Sequence, residues 1–79
     1  MHIQQKDREA KLAALSEVEG FDSVDAMLEA AAFDSVNPGI CTKPDCDGTA
    51  EVEPDQERGW CEACGGNTVA SALILAGII

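Results

Sequence analysis

Two pairs of cysteines constrain the fold of this 79-residue chain more than any other feature. Four residues separate Cys41 from Cys46, two separate Cys61 from Cys64, and fourteen lie between the pairs. Below roughly 70–80 residues a hydrophobic core alone seldom contributes more than about 3–5 kcal/mol, so a small domain needs a further staple. We therefore expect a single domain over residues 1–79, with the cysteines supplying that staple.

The cysteine spacing predicts a tetrahedral site that holds one structural Zn²⁺ per chain. Each pair contributes two thiolates from one tight turn, and the residues between the pairs bring the second turn back to face the first. Gly65 directly follows the second pair, where the backbone must curl with amides toward sulfur and a positive φ is often needed. Gly48 lies one residue further along in the first pair. Lys43 is expected to offset local negative charge, and His2 is not expected to be a ligand.

The segment Cys61-Glu62-Ala63-Cys64-Gly65 resembles the knuckle of zinc-ribbon and rubredoxin-like proteins, and the resemblance covers about residues 40–66. The whole chain is also similar to small uncharacterised zinc-ribbon proteins of bacteria and their phages. The first knuckle departs from the usual spacing, because it has four intervening residues and Pro44 lacks an amide N–H. Three alternatives stay open: mononuclear iron on the same ligands, a Cys61/Cys64 redox dithiol, and structural disulfides.

Apolar residues at helical spacing predict a hairpin of two helices over residues 1–39. The first helix is expected from Lys6 to Glu19, ending at Gly20 as a C′ residue, with an ion pair between Asp7 and Lys11. Its inward face is expected to carry Leu12, Leu15 and Val18.

The second helix is predicted to begin after Ser23 as its N-cap and to end near Ala32 or Phe33. The sequence Asn37-Pro38-Gly39 then predicts a turn. Alternation in Thr49–Glu53 predicts a half-exposed strand, and Trp60 is expected to start the returning strand of a β-hairpin.

Within the apolar segment 67–79, a short C-terminal helix is expected, capped by Asn67 or Thr68, running through Leu75 and broken by Gly77, with a buried strand as the alternative. The predicted fold class is therefore α+β, small and metal-stapled. It comprises a helical hairpin (1–39), a four-cysteine zinc ribbon with a β-hairpin (40–66) and the apolar segment (67–79). That segment either fills the core or forms a homodimer seam through Leu73, Ile74, Leu75, Ile78 and Ile79.

The chain is strongly acidic, with a net charge of −10. Such a surface is poorly suited to duplex DNA or to anionic membranes, because phosphate binding depends on lysine and arginine. It favours solubility and steers a protein toward basic partners. The candidate partner surface is an acidic band around the ribbon, formed by Asp45, Asp47, Glu51, Glu53, Asp55 and Glu57.

The remaining features favour a non-enzymatic protein-interaction module in the cytoplasm. Residues 1–11 lack the apolar core of a secretory signal, and the apolar run Val69–Ile79 is shorter than the roughly 20 residues of a membrane span. With no tyrosine and one histidine, the chain offers no catalytic set. Two alternatives stay open. One is an acidic nucleic-acid mimic or inhibitor of a basic nucleic-acid-binding complex, as phage-encoded inhibitors of CRISPR complexes are. The other is a nucleic-acid-binding zinc ribbon.

Overall fold

The computed structural model describes the backbone of residues 5–78 and the side chains of residues 7–78. The predictions about His2 and Ile79 lie outside the described residues. Helices and an antiparallel sheet are both present, as the predicted α+β class requires. In chain order the elements are α1 Gln5–Val18, α2 Val24–Ala32, β1 Asn37–Cys41, β2 Thr49–Val52, β3 Gly59–Cys61, β4 Gly66–Ser71 and α3 Ala72–Leu75.

The first two helices begin and end within one residue of the predicted positions. Gly20 has a φ of 81°, and the Phe21 amide donates to the Ser16 carbonyl at 2.9 Å, which is the closure of a Schellman motif. Ser23 caps α2 as predicted, because its hydroxyl accepts a hydrogen bond from the Ala26 amide at 3.1 Å. Both signals are local, within one turn of the helix end that they determine.

The buried face of α1 differs from the predicted one. Leu12 and Leu15 are buried, but Val18 is 62% exposed while Lys11 is only 6% exposed. Val18 has the right helical spacing, yet it lies in the last turn, beyond the part of α1 that packs against the rest of the chain. The predicted partner of Lys11 is also wrong, since its ammonium pairs with Asp47 at 3.0 Å.

The predicted turn at Asn37-Pro38-Gly39 is wrong, because these residues begin β1. The strand order is β2-β1-β4-β3, antiparallel throughout. Pro38 pairs with Glu51 of β2, whereas pairing with β4 starts only at Gly39, so the proline is accommodated where β1 has one neighbour. Gly39 is required by close packing: a Cβ there would lie 2.8 Å from Val52 Cγ2 and 2.9 Å from Val69 Cγ1.

The predicted hairpin between the strand at residues 49–53 and the one at Trp60 is also wrong. The strands β2 and β3 both exist, but they lie at opposite ends of the strand order. Each pairs with the strand on the other side of its own cysteine turn, β2 with β1 and β3 with β4. The sheet curls, so that a Cβ on Gly59 would lie 3.2 Å from Val52 Cγ1 across the gap between the two edges.

The predicted C-terminal helix is correct only for its last residues, Ala72–Leu75. Residues Gly66–Ser71 form β4, and the helix covers Ala72–Leu75, capped by Ser71 rather than by Asn67 or Thr68. Pairing with β1 on one side and β3 on the other outweighs the helical preference of Ala70, so the alternative of a buried strand is correct for this part of the segment. Gly77 ends the helix as predicted, with a φ of 76°.

The sheet separates two cores, because successive strand residues point to opposite faces. One face packs against the helices around Leu12, Leu15, Met27, Ile40, Ala70, Ala72 and Leu75. The other face collects Cys41, Cys61 and Val69, with Cys46, Ala50 and Val52 against them. Of the predicted dimer seam, Leu73 and Leu75 are buried within the chain itself and Ile78 is exposed. Within residues 5–78, no helix is both long and apolar enough to cross a membrane.

Candidate metal centre

The two hairpin turns bring all four predicted ligands together. Cys41 ends β1 and Cys61 ends β3, while Cys46 and Cys64 lie in the turns that follow. The four Sγ atoms all lie within 4.8 Å of one another. Cys41 and Cys61 are buried, and Cys64 is the most open of the four. The strand pairing β1–β2 and β3–β4 is therefore what builds the cluster.

The distances between the sulfur atoms fit a tetrahedral metal site. Cys41 Sγ lies 3.7 Å from Cys64 Sγ, and Cys46 Sγ lies 3.7 Å from Cys61 Sγ. Zinc–sulfur bonds of about 2.3 Å in a regular tetrahedron place the sulfurs about 3.8 Å apart. All four cysteines are free. The four side chains are thus positioned to bind a metal ion.

Backbone amides support the second cysteine of each turn in the same way. The Gly48 amide donates to Cys46, and the Gly66 amide donates to Cys64, in both cases from two residues further along. Gly65 has the predicted positive φ, 73°. Gly48 does not have a positive φ. A glycine is needed there because of limited space, since a Cβ would lie 2.7 Å from Cys61 Sγ.

Thr68 of β4 contacts two of the sulfurs. Its Oγ1 lies 2.9 Å from Cys41 Sγ and 3.7 Å from Cys64 Sγ. The Thr68 hydroxyl, helped by Cys61, the Gly66 amide and Cys41, lowers the pKa of Cys64 to about 6 although burial raises it. Such contacts orient thiolates and stabilise their charge.

Cys46 has the opposite shift. The Gly48 amide lowers its pKa, but burial and the hydrogen bonds to the other three thiols outweigh that contact and raise the pKa to about 11. The two cysteines that lie in the turns are therefore unequal as free thiols. Of these two thiols, Cys64 has the lowered pKa and Cys46 the raised one.

Lys11 of α1 holds the first turn. Its ammonium donates to the carbonyl of Lys43 at 2.7 Å, to the carbonyl of Cys46 and to Asp47 Oδ1 at 3.0 Å. The side chain is almost fully buried, whereas Lys43, the cation expected to serve this site, is exposed. The cation that binds the first cysteine turn therefore comes from a helix more than thirty residues away in the chain.

Sequence analysis missed both Lys11 and Thr68. For Lys11 a signal exists, because it precedes Leu15 by four residues and so shares the buried side of α1. A lysine on the apolar side of a helix needs buried oxygen partners. For Thr68 no comparable signal exists, since its place depends on the pairing of β4 with β1.

The six residues of the predicted acidic band are all exposed. Asp47 is held by Lys11, whereas Glu51 and Glu53 border a groove together with Trp60. Asp45 lies in the first cysteine turn, and Asp55 and Glu57 lie in the connection between β2 and β3.

Comparison with protein-family models, with curated proteins and with solved structures finds no match. The likeness to zinc ribbons therefore rests on the four-sulfur cluster and its two turns.

Proposed function

We propose that this chain is a small acidic zinc-binding protein that acts as a non-enzymatic interaction module. The observation that carries the proposal is the closed set of four sulfurs at tetrahedral spacing. Four cysteine ligands fill every position of a tetrahedral zinc ion, so no site is left for a water or a substrate. The role of the metal in this proposal is to hold the two hairpins together.

The arrangement of the sulfurs favours a metal ion over a separate redox dithiol at Cys61 and Cys64. Each of these two cysteines has a sulfur of the other turn at 3.7 Å, so the four share one centre. Thiolate ligands suit zinc and also iron. Zinc is proposed because four cysteines on paired turns are a common structural zinc site.

A second candidate function is an acidic mimic or inhibitor of a basic nucleic-acid-binding complex. The observation that favours it is the exposure of all six acids of the band, in a chain whose net charge is −10 before metal binding. Four thiolates around a divalent ion add about two further negative charges. The same charge argues against a nucleic-acid-binding ribbon, and no measurable binding to duplex DNA is expected at physiological salt.

Metal stoichiometry and metal-dependent folding test the proposal. Native mass spectrometry is expected to show one zinc ion per chain, and Cys64→Ser is expected to lose it. Structural zinc in small peptides contributes an apparent ~10–16 kcal/mol near neutral pH, which exceeds what a core of this size supplies. A chelator should therefore collapse the dispersed amide NMR signals of residues 37–71, while a helical signal from α1 and α2 persists in part.

The neighbouring substitution Ala63→Ser is the matched control, because it adds a hydroxyl to the same turn and leaves all four ligands in place. It is expected to keep the metal and the amide spectrum. A chelated, metal-free chain whose sheet signals stay dispersed would contradict the proposal, as would a folded chain with two disulfides.

A further inference from the structure

A groove of about 570 Å³ lies where the two edges of the curled sheet approach each other. The strands β2 and β3 both line it, together with Val36, which precedes β1. Trp60 is 57% exposed and Val36 is 51% exposed. Large apolar side chains at a protein surface are usually scattered singly, so two that line one groove indicate a contact surface.

The groove is built on an anchored connection. The segment between β2 and β3 crosses the gap, and the Ser71 amide donates to the Gln56 carbonyl at 2.9 Å. The Ser71 hydroxyl also donates to the Pro54 carbonyl. Ser71 itself is fully buried. The floor of the groove is therefore held by β4 and is formed before any partner arrives.

The charge around the groove is predominantly negative. Glu51 and Glu53 line it, and Arg58 is the cation among the lining residues. Asp55 and Glu57 are exposed in the same connection. An indole face beside carboxylates is suited to a lysine or arginine side chain, because the ring attracts the cation and the carboxylates pair with it.

We propose that this groove binds an extended segment of a partner protein that carries lysine or arginine next to an apolar residue. The cationic group packs on Trp60 and pairs with Glu51 and Glu53, and the apolar neighbour contacts Val36 and Val52. This inference rests on the proposed role as an interaction module and gives that module a surface and a class of partner.

A short peptide of alternating arginine and valine, labelled with a fluorophore, is the probe. Trp60 is the only tryptophan of the chain, so its emission reports directly on the groove. Binding is expected to change that emission and the anisotropy of the labelled peptide. The same peptide with glutamate in place of arginine is expected not to bind. If the arginine peptide binds without any change in Trp60 emission, the groove is not its site and the proposal is overturned.

Substitutions in the groove sharpen the test. Trp60→Ala is expected to weaken peptide binding about two- to thirtyfold, the usual range for a cation on an aromatic face. Trp60→Phe keeps an aromatic face and is expected to retain part of the affinity. Phe33→Ala removes an aromatic ring that is 88% exposed and lies outside the groove, and is expected to change nothing. Equal losses from the Trp60→Ala and Phe33→Ala variants would overturn the proposal.

Charge reversal distinguishes binding at the groove from binding that depends only on the overall negative charge. Glu51→Lys with Glu53→Lys should weaken binding at low salt and flatten its salt dependence, because rim charges act mainly on association. Glu17→Lys with Glu19→Lys makes the same change in net charge at two exposed positions, one in the last turn of α1 and one just after it, and should have a much smaller effect. If the two double reversals had equal effects, binding would depend on overall charge, and the proposal that the groove is the binding site would be overturned.

Metal content measured on the same samples keeps the two proposals distinguishable. A chain that holds one zinc ion but does not bind the arginine peptide overturns the groove alone. A folded chain without metal overturns the proposed zinc module, whatever the peptide does.

Discussion

The two cysteine turns make the same contact to sulfur but are held in place by different means. In each turn, an amide two residues beyond the second cysteine donates to its sulfur. The second turn closes on itself, because the Gly65 amide donates to the Cys61 carbonyl at 2.8 Å. The first turn also has an internal hydrogen bond, from the Cys46 amide to the Lys43 carbonyl at 3.1 Å, but its Lys43 and Cys46 carbonyls additionally accept from the buried ammonium of Lys11.

The difference follows from the length of the turns. Two residues between cysteines leave a short backbone whose polar groups can be satisfied within the turn. Four residues, one of them a proline without an N–H, leave more carbonyls than the turn itself can bond. An added cation from α1 meets that need. The longer turn is therefore tied to the helical hairpin, and the shorter one depends on its own backbone.

Alanine at the two turn glycines is the strongest way to test this comparison. Gly48→Ala places a Cβ 2.7 Å from Cys61 Sγ and 3.0 Å from the Ala63 Cβ, so a ligand must move. Overpacking of this kind costs about 3 kcal/mol at the upper end of its usual range. We expect that loss in the unfolding free energy of the metal-loaded protein, together with weaker zinc retention against a chelator.

Gly65→Ala is the matched substitution in the second turn. Its Cβ meets only the far edge of the Trp60 ring at 4.0 Å, so the cost is the left-handed backbone, roughly 1–2 kcal/mol. Zinc retention should change little, because no ligand is displaced. A larger loss of metal from Gly65→Ala than from Gly48→Ala would show that the two glycines do not have the separate roles described here.

Removing the buried cation tests the dependence of the first turn on α1. Lys11→Met keeps about the length of the side chain but removes the donor of the Cys46 carbonyl and leaves the Lys43 carbonyl with only the Cys46 amide. Hydrogen bonds to charged groups contribute about 1.5–3 kcal/mol, so we expect a loss of about 2 kcal/mol in chemical denaturation. Amide exchange should increase in the first turn and not in the second.

Lys43→Met is the control for this substitution. It removes the same charge from an exposed position inside the first turn, and it is expected to leave stability within ~0.5 kcal/mol. Equal effects of the two lysine substitutions would mean that overall charge, rather than the bonds of Lys11, supports the site.

Features with local determinants were predictable from the sequence. Gly20 and Ser23 act within a single helical turn, so the bounds of α1 and α2 follow from a few neighbouring residues. The clustering of the four cysteines was also predictable, because the Cys61–Cys64 turn has a recognisable local spacing and glycine. A chain of this length can bury only a small core, and the expectation of a staple at the cysteines follows from that.

Strand pairing was not predictable, because it depends on distant residues. Ala70, Ala72 and Ala76 make a helix the preferred prediction over a buried strand, and pairing with β1 and β3 makes Gly66–Ser71 a strand. Pro38 and Gly39 resemble a turn until β2 and β4 are placed beside them. The same limit hid Thr68, whose contact with Cys41 exists only because β4 lies next to β1.

The smallest expected effect tests the chemical difference between Cys64 and Cys46. Thr68→Val keeps the β-branched shape of a strand residue and removes the hydroxyl that contacts Cys41 and Cys64. That hydroxyl is the main cause that lowers the pKa of Cys64 to about 6. Without it the pKa of this thiol rises toward its ordinary value, so protons compete with the metal at a higher pH. The midpoint of acid-induced zinc release should therefore move upward.

The size of the effect follows from the contacts of the hydroxyl, which touches two of the four sulfurs. Loss of a contact to a ligand typically lowers metal affinity about 10- to 100-fold, and we expect about tenfold here because all four sulfurs remain. Zinc release is followed with a chromophoric chelator while the pH is lowered. Thr49→Val, at an exposed position of β2, is the matched control and should leave the midpoint in place. A midpoint that stays constant in Thr68→Val, or moves to lower pH, would show that the Thr68 hydroxyl does not stabilise the thiolate of Cys64.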